Sequence, residues 1–297
     1  MGGRRNENPE DAKGGVLYVV ATPIGNLEDI TLRALRTLKE ADLIAAEGVD
    51  HTRSLCRHFG IETRLTSYNQ NNLRRKGPEI LSKLRAGQRV ALVTSAGTPG
   101  VSDPGSMLIH QAANEGMDVV VVPGPCAAVA ALSASGLRSD GFLFSGFLSS
   151  RPGRRRKEIE GLASETRTLV FYEAPHRIRA FLKDLRAGLG DRQAALAREM
   201  TKVHEDVLRG TLEQIAEALD DERTRGEMTV VVAGAETAAC DEAIEADPEL
   251  AKRIRTLLDR GDLSLRDVAE TLSGEKGLGY RRMYKLCLSV QDAAENG

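Results

Sequence analysis

The chain lacks several features that would have fixed its class at once. No apolar run reaches the roughly eighteen residues of a membrane-spanning helix, so none is predicted. The cysteines, Cys56, Cys126, Cys240 and Cys287, stand far apart and form no metal-ligand spacing. That pattern predicts a reduced, cytoplasmic protein with no zinc or other metal. Neither G-x-G-x-x-G nor G-x-x-x-x-G-K occurs, so a dinucleotide or a nucleoside triphosphate is not favoured as a ligand. Charge of one sign is not in excess either. A net charge of −2 argues against a surface that is basic all over, and leaves only local patches for a polyanion. No apolar segment follows Arg4 and Arg5, so residues 1–14 are expected to be a disordered tail rather than a signal peptide.

What is present has the balance of an ordinary globular protein: 297 residues, 41% apolar and 28% charged, enough for one large domain or a few small ones. The stretch RVALVTSAGTPGVSDPG, residues 89–105, begins as an apolar run and breaks into a loop holding Gly97, Pro99, Gly100, Pro104 and Gly105. A helical pattern follows. A strand feeding a Gly/Pro loop and then a helix places free backbone groups at the carboxyl end of a strand, where α/β proteins bind ligands. Thr22-Pro23-Ile24-Gly25-Asn26 and Pro123-Gly124-Pro125-Cys126-Ala127 repeat the arrangement, and the three loops are expected to wall one pocket.

Strand-like runs alternate with helical patterns up to about residue 136, which predicts a mainly parallel sheet. Residues 119–122 are expected to be a strand covered on both faces, and residues 78–86 a helix. The second half has more consecutive strands, including residues 142–144 and 169–172, and predicts a mixed sheet. After about residue 237 only helical patterns remain, and residues 264–285 have the rhythm of a helix-turn-helix. The expected domains are therefore 15–136, 137–236 and 237–297, the last a small helical domain. Basic residues cluster at Arg74-Arg75-Lys76, at Arg151 with Arg154, Arg155, Arg156 and Lys157, and at Arg281 and Arg282 with Lys285. Three such clusters shift the expectation toward a polyanionic partner.

The segments TPIGNLEDITLRAL, SAGTP with SDPG, VPGPCAA, FYEAPHR, AREMTK and GEMTVVV occur in this order. Together they resemble the ribosomal-RNA small-subunit cytidine-2′-O-methyltransferase branch of the tetrapyrrole methylase superfamily, over residues 17–234. The resemblance implies a two-domain α/β methylase fold, a homodimer, S-adenosyl-L-methionine as cofactor, and small-subunit (16S) ribosomal RNA or its particle as substrate. It also implies a cofactor pocket at Pro23, Ile24, Gly25 and Asn26, at Ser95, Ala96, Gly97, Thr98, Pro99, Val101 and Asp103, and at Gly124, Pro125, Cys126 and Ala127. Tyr172, Ala197, Met228 and Thr229 complete it from the second domain. An S-adenosylmethionine site suits such loops on chemical grounds, because the ligand has no phosphate to cradle and asks for apolar slots with scattered main-chain hydrogen bonds. Tyr172 offers an aromatic face to the sulfonium.

Transfer to a ribose hydroxyl needs a proton acceptor and gains from a nearby cation. The candidate acceptors are Glu47, Asp103 and Glu173. The candidate cations are Arg198 and Lys202, with Arg53 and Arg177 behind them. Arg154, Arg155, Arg156, Lys157, Arg281, Arg282 and Lys285 are the candidate RNA contacts. Three places depart from the family pattern. Gly48-Val49-Asp50 replaces an Asp-Thr-Arg, Ser95 stands where a carboxylate is usual, and Asn69-Gln70-Asn71-Asn72 replaces a His- and Glu-containing stretch. These departures keep two alternatives open: a tetrapyrrole carbon methylase, and a catalytically weakened homologue that only binds RNA or the ribosome.

Overall fold

The structure is a computed structural model describing residues 15–220, 223–235, 248–259 and 263–276, with 283, 284, 286–288 and 290. The chain separates into two compact units, Met1–Ala235 and Glu236–Gly297. The first unit holds two five-stranded sheets.

The first sheet contains β1 (Val16–Val20), β2 (Leu43–Ala46), β3 (Leu65–Ser67), β4 (Val90–Val93) and β5 (Asp118–Val122), in the order β3-β2-β4-β1-β5. Every pairing is parallel. The connecting helices are α1 (Leu32–Glu40), α2 (Val49–His58), α3 (Leu73–Arg85) and α4 (Ser106–Asn114). β4 shows why VALV makes a central strand. Ala91 and Val93 enter one apolar cluster, Val90 and Leu92 the cluster on the opposite face, as a side-chain period of two requires. Local signals set the helix ends. Thr31 Oγ1 accepts from Ala34 N to cap α1, and Gly60, at φ 61°, turns the chain after α2.

Two expectations for this half need correction. β5 is not covered on both faces. It is the last strand of the sheet, paired only with β1, and Val121 is 54% exposed. A β-branched run satisfies an edge as well as a centre, so periodicity does not separate them. Helix α3 begins at Leu73, not at Pro78, and Pro78 lies inside it. Asn69 starts the helix early, since its carbonyl accepts from the N–H groups of Asn72 and Leu73.

The second sheet contains β6 (Phe142–Phe147), β7 (Thr168–Glu173), β8 (Gln193–Arg198), β9 (Asp206–Thr211) and β10 (Met228–Val232), in the order β6-β7-β10-β8-β9. β6 and β7 are parallel and the other pairs antiparallel. One face packs on α6 (Pro152–Glu160), α7 (Ile178–Leu189) and α8 (Leu212–Ala218) through Ile159, Phe181, Leu182 and Ile215. The other face packs on α5 (Ala127–Ser135), where Ala128, Ala131 and Leu132 meet Val170, Ala195 and Val231. The small side chains of α5 allow this close approach. A helix that follows the last strand of the first sheet therefore docks on the second sheet, and the loops of both converge at its N-terminus.

In the second unit, α9 (Pro248–Asp259) and α10 (Leu265–Lys276) bury Leu250, Ile254, Val268 and Leu272 with Met283 and Cys287. Ser264 Oγ accepts from Asp267 N and caps α10. The Arg281, Arg282 and Lys285 cluster lies outside the described residues, as do residues 277–282 and 285 of the expected helix-turn-helix. No described helix is long and apolar enough to cross a membrane.

Candidate active site

The loops after β1, β4 and β5 are tied to one another. Thr22 N donates to Gly97 O at 2.9 Å, and Gly97 N returns a bond to Thr22 O at 3.0 Å. Thr98 Oγ1 donates to Pro125 O at 3.1 Å. Gly97 takes φ 78°, a left-handed turn that favours glycine. The loop between β8 and β9 closes on the β1 loop from the other sheet. Asn26 N donates to Thr201 Oγ1 at 3.0 Å. A Cβ on Gly25 would stand 2.5 Å from Lys202 Cγ and 2.9 Å from Met200 O, so only glycine permits this approach.

Between these loops lies a cleft of about 360 Å³. That is within the range of cavities that hold small ligands. Of the residues expected at a cofactor pocket, Ile24, Ser95, Ala96, Gly97, Thr98, Val101, Asp103, Cys126, Ala127, Tyr172, Ala197, Met228 and Thr229 line it. The other expected residues stand behind the wall. Pro23 and Gly25 face an adjoining cavity. Asn26 caps the short helix Leu27–Asp29 by accepting from Glu28 N, and Pro125 holds Thr98. Gly124 packs on Ala21, and Pro99 lies buried beneath the loop. Thr94, Ser102, Phe147, Ala174, Pro175, Met200 and Glu227 also line it and were not predicted. Phe147 is the instructive one. The pairing of β6 with β7 shifts register between Phe144 and Gly146, which carries the strand three residues past its predicted end and sets Phe147 beside Tyr172, ring centres 5.6 Å apart.

Charge in the cleft is one-sided. Its lining includes Glu47, Asp103, Glu173 and Glu227 and, among the described residues, no lysine, arginine or histidine. Glu47 Oε2 accepts from Thr94 Oγ1 at 2.7 Å and from Ser95 N at 3.0 Å, fixing it at the end of β2. Burial pushes the Asp103 carboxyl up to about 6, and the neighbouring Glu47 adds to the rise against a hydrogen bond with Thr94. Glu173 is fully buried, and desolvation raises its carboxyl too. Its Oε1 accepts from Ala174 N and lies 3.1 Å from Arg177 Nε, while Oε2 has no partner among the described residues. An orphaned, buried acceptor in a cleft wall is a place for a ligand donor. Tyr172 OH accepts from Ala128 N at the start of α5, and burial keeps its phenol protonated far above neutral pH.

The expected cations lie elsewhere. Lys202 borders the adjoining cavity, its Nζ 2.9 Å from Glu199 Oε1 and 3.3 Å from Glu227 Oε2. Arg198, at the end of β8, is absent from both linings. Arg53 pairs with Asp50, and Arg177 donates to the carbonyls of Leu148 and Ser149. Among the basic residues of α6, Arg155 does not belong with the surface contacts. It is 4% exposed and spent on the buried Asp184, which also accepts from Arg156. Arg154 and Lys157 face solvent, and Arg156 keeps 63% of its side chain exposed. The departures at 48 and 95 meet in space: a Cβ on Gly48 would lie 2.7 Å from Ser95 Oγ. No group of three or more His, Cys, Asp or Glu residues that could hold a metal occurs among the described residues.

A parallel sheet and a mixed sheet enclosing an acidic cleft at their strand ends define the class, and residues 16–216 match the Tetrapyrrole (Corrin/Porphyrin) Methylases: the chain belongs to this family. Within it, the chain is 43% identical to "Ribosomal RNA small subunit methyltransferase I" of Synechocystis sp., covering 93% of this chain and 99% of that one. It is 44% identical to the protein of the same name from Pseudomonas aeruginosa, over 93% and 98%. Among solved structures, the chain resembles a diphthine synthase (TM-score 0.57, 19% identity, 74% of this chain and 90% of that one). It also resembles the uroporphyrin-III C-methyl transferase of Thermus thermophilus complexed with S-adenyl homocysteine (TM-score 0.54, 23% identity, 73% and 97%). At these identities the two structures speak for the fold alone.

Proposed function

We propose that this protein is a methyltransferase that uses S-adenosylmethionine to methylate the ribose 2′-hydroxyl of a cytidine in small-subunit ribosomal RNA. The observation that carries the reading is the cleft, whose charged lining groups among the described residues are all carboxylates. Relatives more than 40% identical over nearly their whole length, named for small-subunit ribosomal RNA methylation, supply the substrate class.

The residues present fit the donor. Ile24, Val101, Met228 and Phe147 give apolar faces, and residues 95–98 give hydroxyls and main-chain groups. A cation is welcome in a cavity whose charged lining is all acidic, and the orphaned Glu173 Oε2 is open to a donor group. When bound, the donor supplies an electrophilic methyl group on a sulfonium. The chain's own contribution is orientation, exclusion of water and a proton acceptor. We assign acceptance of the ribose hydroxyl proton to Asp103. Its carboxyl is ionised at neutral pH yet more basic than an exposed aspartate, the compromise a general base needs. Glu47, bonded to Thr94 and Ser95, holds the β4 loop and keeps Asp103 basic by its charge. Lys202 and Arg198 have no part in the donor site under this assignment.

Arg154, Arg156 and Lys157 on α6 would meet phosphates, positioning RNA without reading its sequence. Arg281, Arg282 and Lys285 remain candidate contacts of the helical unit. We further infer a cytoplasmic homodimer, since the open edge of β5, with Val120 and Val121 exposed, is a surface that a second copy would cover. Calorimetric titration with S-adenosylmethionine, followed by methylation of unmodified small subunits, tests the reading. Binding followed by transfer to RNA is expected, and failure of the cofactor to bind at millimolar concentration would refute it.

A further inference from the structure

A second cavity, of about 210 Å³, adjoins the main cleft and shares Ile24, Thr94, Ser95, Ala96 and Glu227 with it. Its own walls are Thr22, Pro23, Gly25 and Leu27 from the β1 loop, His51, Thr52 and Leu55 from the first half of α2, and Lys202 from the β8–β9 loop. We propose that this cavity receives the acceptor: one unstacked nucleotide of the RNA, with its ring against the apolar wall and its ribose at the shared wall. The proposal rests on the function inferred above and adds the acceptor's place to it.

Three observations support this division. First, the charges differ between the neighbours. The main cleft has four carboxylates and, among the described residues, no basic lining residue, which suits a cationic donor and repels a phosphate. Among the described residues, the lysine and histidine that line either space are Lys202, paired with Glu199 and Glu227, and His51, both in the second cavity. Second, α2 enters this cavity by its N-terminal half, and its N-cap is Gly48, with no side-chain cap. The helix brings His51, Thr52 and Leu55 to the wall, one ring, one hydroxyl and one apolar side chain on a single face. Third, the chemistry and size suit a single ring. Pro23, Ile24, Leu27 and Leu55 are apolar, while Thr22, Thr52, Thr94 and Ser95 bring hydroxyls. The volume is below that of a pocket for a drug-sized ligand. Enzymes that act on one nucleotide of a structured nucleic acid commonly take it out of its stack into such a space. The shared wall joins the two spaces at Thr94, which donates to Glu47 and lines both cavities, while Asp103 lines the main cleft beside it.

His51→Trp fills the cavity from an exposed position on α2 without touching the main cleft. The expected result is a tenfold or greater rise in KM for unmodified small subunits, with the calorimetric Kd for S-adenosylmethionine within twofold of wild type and an unchanged melting temperature. A milder rise is expected for Lys202→Gln. Saturation-transfer NMR with cytidine 5′-monophosphate, on protein saturated with S-adenosylhomocysteine, gives a reading independent of turnover. Transfer to the nucleotide is expected in wild type and its loss in His51→Trp. An unchanged KM, or nucleotide contacts that persist in His51→Trp, would overturn the assignment. Loss of cofactor affinity in His51→Trp would instead make the cavity part of the donor site and overturn it equally. If wild type leaves small subunits unmethylated yet binds the nucleotide in a His51-dependent way, the subsite stands and the ribosomal function falls.

Discussion

The two sheets of the first unit contribute different things to one cleft. The parallel sheet places Glu47 at the end of β2 and Asp103 in the loop after β4, and its three loops are tied by hydrogen bonds that fix these groups. The mixed sheet supplies shape: Phe147, Tyr172, Ala197 and Met228. Its one carboxylate fully buried in the wall, Glu173, is partly engaged by its own loop. The difference follows from connectivity. Parallel strands all end on the same side, so their loops gather reactive groups at one edge. Antiparallel strands alternate, and only some of their ends reach that edge. Chemistry should therefore be sensitive to the first sheet, and stability and fit to the second.

The largest expected effect is at Asp103. Asp103→Asn should lower kcat by about 10²–10⁴-fold, the usual worth of a general base, measured by methyl transfer to small subunits. In wild type kcat/KM should rise as pH increases through about 6, since the base proposed for Asp103 acts as the ionised carboxylate, and the variant should lose this limb. Stability should move the other way. The folded protein holds the Asp103 proton more tightly than the unfolded chain, so this group's contribution to stability falls as pH rises from about 4 to about 6. The variant escapes that cost, and its melting temperature at pH 7 should be higher than that of wild type.

In the second sheet's layer, Arg155→Met leaves the buried Asp184 with Arg156 as its remaining partner. A loss of about 3 kcal/mol in denaturant unfolding is expected, with little change in the methylation constants of the surviving folded fraction. Gly25→Val, which drives a side chain into Met200 O and Lys202, should cost about 1–3 kcal/mol and raise the Kd for the cofactor as the two sheets part. Tyr172→Phe removes the partner of Ala128 N and should cost about 1 kcal/mol, with kcat affected far less than by Asp103→Asn. Smallest in stability is Arg154→Ala, on an exposed ion pair with Glu158, within about 0.5 kcal/mol. It should still reduce the salt dependence of RNA binding by about one unit of slope. A Tyr172→Phe enzyme as crippled as Asp103→Asn would break the contrast between the sheets.

Much of this was legible in the sequence for physical reasons. Short apolar runs such as VALV, followed by Gly/Pro loops and helical patterns, are the direct trace of parallel strands with loops at one edge. The turn glycines and the meeting of three loops around one cleft followed from them, whereas the lining residues of the second sheet were indicated by the family resemblance alone. Other features depend on tertiary facts that no local pattern carries. Val119 to Val122 reads alike at the edge and at the centre of a sheet. The bulge near Gly146 has no period to betray it, so Phe147 was missed. Arg155 sits in a run of four basic residues, and only the helix face that meets α7 separates it from Arg154 and Arg156. Pro78 looked like a helix start because proline is favoured there, yet Asn69 had already begun the helix. The second cavity joins α2 to a loop some 150 residues later in the chain, a juxtaposition that only the packed sheets create.

The most direct measurement is to incubate unmodified small subunits with the protein and methyl-labelled S-adenosylmethionine, then digest the RNA to nucleosides and map the label by mass spectrometry. The expected product is 2′-O-methylcytidine at a single position, formed by wild type and nearly absent with Asp103→Asn. Label on a base, label only on a tetrapyrrole precursor, or a protein that binds the donor and transfers nothing would contradict the assignment.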